Sequence, residues 1–599
     1  MSDDDTIIGI DLGTTNSEVA VARDGRIEVL DVSPGTQLLP SYVGMSDDGA
    51  LLVGESARNQ YALYPERTIR SVKRRMGEDV QLEFGEARHT PQEVSAMLLR
   101  RLKDVASAHL GVPAERAVIT VPAFFSDAQR QATRQAGELA GLEVVRIINE
   151  PTAAALAYRS DERPDARLLV YDLGGGTFDV SVVNAHEGVV EVLASHGDNH
   201  LGGDDFDARI VEHCVAHLKE RHDVDATTEP RAMSRIVRAA EAAKIRLSTE
   251  PYADIEEEYL LDKDGAPVNL RLELARADYE AMIEGFVDRT LDAVHVALSG
   301  AKVVASDIDE VLLVGGATRT PLIARRLEET LGIAPRLDVD PELCVAAGAA
   351  MQGAMIAGRT DVTVLVDVTP YTFGTAALGE LDGRFHPFKF VPLIRKNTPV
   401  PCSRTEVFYT AYDDQEAVEV GVYQGEEPDA LENVEIGKFL IEGLRKAPSG
   451  SPITSTFRLD LDGILHVTTR EKGTGLEKGI TIAGAMGRTG GTEHDAAKAR
   501  IDALFEGAGD AGTEGGTATD ASAPDGTLAG AAAVEQRADA QARALLERAE
   551  RLLADASAED REDLVDAMES VRDALAASDR DALGSAVTAL GDLVFYLDS

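Results

Sequence analysis

Basic residues are scarce in this chain of 599 residues. Lys and Arg together number 59 against 104 Asp and Glu, which gives a formal charge of −45. Nucleic-acid phosphates demand a basic footprint and anionic membrane surfaces repel such a charge, so neither is an expected partner. The charge reads as a strongly solvated surface. Any nucleotide must then be held by local geometry and a cation, because the overall field opposes it. Cysteine is rare too: Cys214, Cys344 and Cys402 lie far apart and offer neither a disulfide framework nor zinc spacing. No apolar run is long enough to span a bilayer. The opening MSDDDTIIGI lacks the basic start and small-residue cleavage site of a secretory signal. A cytoplasmic location is the expectation. Two common phosphate-binding signatures are also missing. Neither G-x-x-x-x-G-K-[ST] nor G-x-G-x-x-G between a strand and a helix occurs.

What is present is a repeated glycine turn. VYDLGGGTFDVSVV (Val170 to Val183) sets three glycines between Asp172 and Thr177, with strand-like residues on both sides. IIGIDLGTTNSEVAVA (Ile7 to Ala22) repeats the order of strand, Asp-Leu-Gly, small or hydroxylated residues, strand. Such a turn lets a phosphate approach backbone N–H groups. Gly13, Gly174, Gly175 and Gly176 supply the close approach, and the hydroxyls of Thr14, Thr15 and Thr177 can donate. Asp11 and Asp172 would repel a polyphosphate unless a hard cation intervened, which suits them to anchor hydrated Mg²⁺ through water. A further glycine pair, in VLLVGGATRTP (Val311 to Pro321), ends an apolar run before a helix and suits a nucleoside with its α-phosphate.

The length demands several domains. Alternating β-rich and helical segments make residues 1–362 an α/β domain. An apolar stretch, 363–369, follows. Residues 370–487 alternate as an antiparallel β domain, with Val418, Val420 and Val422 on one strand face and Glu419 on the other. Residues 488–533 read as a flexible Gly/Ala-rich linker. Residues 534–599 read as helices, with Leu545, Ala549 and Leu552 on one stripe and Leu564, Met568 and Val571 on another.

The motifs D-L-G-T-T-N-S, I-I-N-E-P-T-A-A-A-L-A-Y, Y-D-L-G-G-G-T-F-D and L-V-G-G-x-T-R, in this order and spacing, closely resemble those of the DnaK-type heat-shock protein 70 chaperones. These belong to the actin and sugar-kinase ATPase superfamily, and the resemblance runs from Ile7 to about Gly484. It implies an actin-like ATPase domain of two lobes, a β-sandwich peptide-binding domain and a C-terminal helical lid. Lys73 then resembles the lysine near the γ-phosphate and attacking water, Glu150 and Asp179 the catalytic-centre acids, and Thr177 the threonine on the γ-phosphate. Asp11 and Asp172 match positions that hold hydrated Mg²⁺ and K⁺. Glu241, Lys244 and Ser248 resemble the adenosine pocket with Gly315, Gly316 and Arg319, while Gly202 and Gly203 match another phosphate-side turn. Leu378, Phe408, Ala411, Val418, Val420 and Ile464 match a cleft for an extended hydrophobic peptide. Pro151 resembles the proline that relays nucleotide state, and Val364, Leu365, Val366 and Asp367 a linker that docks on the ATPase domain with ATP bound.

The implied activity is hydrolysis of ATP to ADP and phosphate, coupled to capture and release of unfolded polypeptides. The implied partners are a J-domain co-chaperone and a GrpE-like nucleotide-exchange factor. Asn199, Asp204 and Glu342 stand where the family usually has threonine, glutamate and aspartate, and Thr375 where a larger aliphatic is common. The segment ELDGRFHPFKFVP (Glu380 to Pro392) is longer than usual. Two other readings belong to the same superfamily: a small-molecule kinase and an actin-like filament. The apolar linker and β domain count against both. A zinc reading of HCVAHLKERH fails on Cys214, where the metalloprotease signature needs glutamate.

Overall fold

The computed structural model describes residues 6–511, except 24–25, 85–86, 159–164, 187, 337–339, 360–362, 473 and 482–490, together with Met568. The chain divides into two compact units, Met1–Thr513 and Glu514–Ser599. The expected helices of 534–599 fall outside the described residues except at Met568. Among the described residues no helix is long and apolar enough to cross a membrane.

Two six-stranded sheets organise the first part of the chain. In one, the strands run in the order Glu143–Asn149, Arg116–Val121, Ile7–Asp11, Asn16–Arg23 and Arg26–Val29, with Leu39–Pro40 paired to Asn16–Arg23. In the other the order is Glu310–Val314, Ala166–Leu173, Phe178–His186, Val189–Asp198, Val364–Val368 and Pro399–Val400. Their central strands are buried on both faces, as expected where helices cover a sheet on either side. Ile8, Ile10, Val19 and Ile119 pack with helix Pro91–Leu110 in one core. Tyr171, Val180 and Val182 pack with helices Gly203–His222 and Arg276–Ala301 in the second. A third cluster joins the sheets through Ile7, Val118, Val170 and Leu312, with helices Glu150–Ala157 and Cys344–Ile356 between them. The framing helices carry strong start signals. Thr90 with Glu93, and Ser126 with Gln129, form capping boxes that satisfy the first free N–H groups.

Beyond these lobes two four-stranded antiparallel sheets pack about one core. The first runs Arg384–Ile394, Phe373–Leu381, Ala417–Gln424, Val434–Glu442, and the second Cys402–Tyr409, Pro452–Leu459, Leu465–Glu471, Glu477–Thr481. Phe373, Val420, Val422 and Ile441 from one meet Ile453, Phe457, Leu465 and Val467 from the other. This is the sandwich that the alternating pattern predicts.

The apolar segment 363–369 carries a strand: Val364–Val368 extends the second large sheet, parallel to Val189–Asp198 and antiparallel to Pro399–Val400. One stretch differs from expectation. The stretch expected as a flexible linker, 488–533, begins with a helix, Gly491–Ala511, whose Ala497 and Ile501 are buried in the first lobe's core. Helix propensity around Ala496–Phe505 and an apolar docking surface outweigh the glycines that follow.

Candidate functional site

The two glycine turns face each other at the mouth of a cleft of about 800 Å³ between the lobes. Each turn joins antiparallel strands, Ile7–Asp11 to Asn16–Arg23 and Ala166–Leu173 to Phe178–His186. A Cβ on Gly175 would fall 1.8 Å from Thr15 Oγ1. Gly315 has φ 83° and sits so close that a Cβ would meet the Leu173 carbonyl oxygen at 2.3 Å. Only glycine leaves this space open.

Gly13, Thr14, Thr15, Gly174, Gly175, Thr177 and Gly203 line the cleft at the two turns. Gly176 and Gly202 stand behind it and set the spacing: a Cβ on Gly202 would press into the Gly175 backbone at 2.5 Å. Glu241, Lys244, Ser248, Gly315, Gly316 and Arg319 line the far end. There Lys244 Nζ donates to Asp207 at 2.9 Å and to the Gly203 carbonyl at 3.1 Å. Arg319 pairs with Asp340 at 2.8 Å and Glu342 at 3.3 Å.

Acids crowd the floor. Asp11, Glu18, Glu150 and Asp172 line the cleft beside Lys73; Asp179 lies buried behind it. Lys73 and Glu150 are both buried and meet at 2.5 Å. Burial pulls the Lys73 ammonium down, but Glu150 and then Asp11 outweigh it and its pKa rises. Burial raises the Glu150 carboxyl against the pull of Lys73. Asp172 is raised well above the carboxylate range by burial, then by Glu150, Asp179 and Asp11. Burial lifts Asp179 to about 7, although the Phe124 N–H donates to it at 2.9 Å. One lysine does not neutralise this many carboxylates. The all-oxygen donor set of carboxylates and hydroxyls suits a hard cation. Among the described residues no three His, Cys, Asp or Glu side chains converge to hold an ion by themselves.

Glu18 was not among the expected site residues. It lies directly across the strand pair from Asp11, is 3% exposed, and is pushed well up by burial, then by Asp11 and Glu342. The signal in the sequence was a charge at an inward position of an apolar strand. The three departures from the family pattern have local partners. Asn199 Nδ2 donates to the Phe124 carbonyl at 2.8 Å, Asp204 accepts from Ser71 Oγ at 2.7 Å, and Glu342 holds Arg319.

Pro151 follows Glu150 at the start of helix Glu150–Ala157. The linker strand lands on this helix: Thr152 Oγ1 donates to Asp367 Oδ2 at 2.7 Å. Val364, Leu365 and Val366 register with Val189, Val190 and Glu191.

The sandwich positions are scattered. Val420 is in the core and Val418 packs against it, while Phe408 is half-buried, Ala411 is exposed and Leu378 is 57% exposed. Ile464 does not belong with them. It sits in the turn that contacts the first lobe, where Asp462 accepts from the Ile147 N–H at 2.9 Å and the Leu465 N–H donates to Asp127 at 2.8 Å. Ile453, directly opposite Phe408 and in the core with Val420, takes the place expected of Ile464. Thr375 donates to the Gly421 carbonyl at 2.6 Å, so its hydroxyl is spent within the sheet. Of the zinc-reading residues, Cys214 is wholly buried in the second lobe's core.

A family model described as "Hsp70 protein" matches residues 7–89 and 78–595. The protein named Chaperone protein DnaK of Thermotoga maritima is 45% identical over 486 residues, 80% of each chain. That of Thermotoga petrophila is similar to the same degree. The counterpart of Thermosipho melanesiensis is 44% identical over 485 residues, again 80% of each chain.

Proposed function

The chain belongs to the Hsp70 family, and from that premise we propose that it is an ATP-dependent chaperone with a two-lobe ATPase domain, a β-sandwich for peptides and a helical lid. ATP binds between the glycine turns. Lys73 steadies charge developing on the γ-phosphoryl oxygens, Thr177 donates to them, and Glu150 with Asp179 orients the attacking water. Asp11 and Asp172 would hold Mg²⁺ and K⁺ through water, and when bound these cations neutralise phosphate charge that the acidic floor would otherwise repel. Lys244, Glu241 and Ser248 receive the nucleoside with Gly315, Gly316 and Arg319.

The observation that carries the reading is the linker strand. It extends the sheet that bears the second glycine turn, and its Asp367 is bonded to the helix that starts at Glu150. A change at the γ-phosphate can therefore reach the linker through Glu150, Pro151 and Thr152. Swinging that strand from about 1:99 to 99:1 docked requires ATP to favour the docked form by roughly 5.5 kcal/mol. Unfolded, extended hydrophobic segments are the substrates of the sandwich. A J-domain co-chaperone and a GrpE-like exchange factor are proposed as partners on family membership. ATP turnover by the full chain, with and without an unfolded hydrophobic peptide, tests the reading: peptide should accelerate it. Calorimetry that detects no Mg-ATP binding would refute it.

A further inference from the structure

Of Asp11, Glu18, Glu150 and Asp172 on the cleft floor, only Glu18 has no part in the chemistry above. It stands just past the first glycine turn and registers directly with Asp11 on the neighbouring strand. Side chains alternate along a strand. Val19 and Val21 enter the core beneath helix Pro91–Leu110, so Glu18 shares the opposite side with Ala20, which packs on Ala346 and Ala350 of helix Cys344–Ile356. A carboxylate that is 3% exposed in such a place is unfavourable unless it is paired. Glu18 has no cation of its own. Its charged neighbours are Asp11 and Glu342, which oppose its ionisation, and Lys73, whose hold on it is weaker and whose ammonium is already engaged by Glu150 at 2.5 Å.

Structural uses of the side chain are closed off. Helix Cys344–Ile356 begins without a side-chain cap, so Glu18 is not spent on its free N–H groups. Its hydrogen-bonding neighbour is Asp11, another acid. What remains is the cleft, which Glu18 lines together with Asp11, Thr14 and Lys73. Two carboxyls set opposite one another on paired strands do not both ionise without a cation. A polyphosphate that enters alone adds negative charge to this pair. One that enters with a divalent ion brings the charge that the pair lacks, and carboxylate oxygens suit such an ion.

We propose that Glu18 is a cation-side carboxylate that makes this chain discriminate divalent-ion-bound nucleotide from the free anion more steeply than Asp11 and Asp172 alone would. It rests on the ATP-site reading above and adds a residue to it. Calorimetry on the full chain measures ADP affinity in excess MgCl₂ and again in EDTA, and the ratio of the two affinities is the readout. Glu18→Gln, which keeps the shape, should lower that ratio about tenfold or more, the range for loss of a group around a bound metal. Its affinity in EDTA should be unchanged or improved. Glu18→Asp keeps the charge and should keep most of the ratio. Glu18→Ala should match Glu18→Gln, which leaves the test open if one variant folds poorly. A ratio equal to that of the unsubstituted protein in both neutral variants overturns the proposal. Equal weakening in MgCl₂ and in EDTA, the mark of a purely structural side chain, overturns it too; the ATP-site reading stands in either case. If the unsubstituted protein binds ADP in neither condition, the ATP site itself falls and this inference with it.

Discussion

Lys73 sits among acids, and its ammonium is held charged by Glu150 and Asp11 against the cost of burial. Truncation to alanine should therefore spare nucleotide affinity and lower single-turnover hydrolysis at least tenfold, about 1.4 kcal/mol. Thr177→Ala should do the same. Wild-type turnover in either variant would place the chemistry elsewhere. Asp127 is a different case. It accepts the Leu465 N–H, and burial lifts its carboxyl from 3.8 to about 8. The folded protein thus holds a proton that the unfolded chain has released, so this group's contribution is fully present below about pH 4. It is lost as pH rises through about 8, by no more than about 1.4 kcal/mol per pH unit. Thermal midpoints across pH 6 to 9 should fall in the wild type, and Asp127→Asn should flatten that slope. An unchanged slope would assign the proton to another group. At this scale the motif residues were legible, because glycine, aspartate and threonine at fixed offsets carry their chemistry locally. Glu18 was not: its meaning depends on standing directly opposite Asp11, which the hairpin register and not the residue types reveals.

The glycine hairpins were readable as elements because both copies spell Asp-Leu-Gly between strand-like runs. Gly175→Ala should push the turns apart, since the added carbon would meet Thr15 Oγ1; ADP affinity measured by calorimetry should drop at least tenfold. The linker strand was legible as an apolar segment but not as a member of the sheet. Its parallel partner, Val189–Asp198, lies far back in the chain, and no periodicity announces such a pairing. Asp367→Asn keeps the shape and removes the charge that faces Thr152, so peptide should no longer stimulate hydrolysis while the basal rate stays. Retained stimulation would exclude Asp367 from the coupling. The exchange of Ile464 for Ile453 has a similar cause: one isoleucine lies in a turn and the other on a strand, and only the register with Phe408 separates them.

Across the molecule, the order of an α/β region followed by an alternating β region was visible from composition and pattern. The contacts between them were not. The sandwich touches the first lobe through the Arg134–Asp462 pair, and helix Gly491–Ala511 touches it through Arg500–Glu93 and Arg100–Asp502. The partly exposed Arg134–Asp462 and Arg100–Asp502 pairs contribute at most about 1 kcal/mol each. The buried Ile501 matters more: Ile501→Ala should cost roughly 2–5 kcal/mol of docking. Faster proteolytic cutting near residue 490 would report it, and an unchanged cutting rate would count against the helix as an anchor. Self-repulsion of a −45 chain falls as salt screens it, so the melting temperature should rise between about 0.1 and 1 M KCl.

One strand of the second lobe's sheet is lent by the segment that leads out of it. If Val364–Val368 withdraws, the rim along Val189–Glu191 is stripped of its neighbour, and any free chain of matching character can take the vacancy. A loose pentapeptide spelling VLVDV would then be a decoy that occupies the berth and shuts out its tethered original.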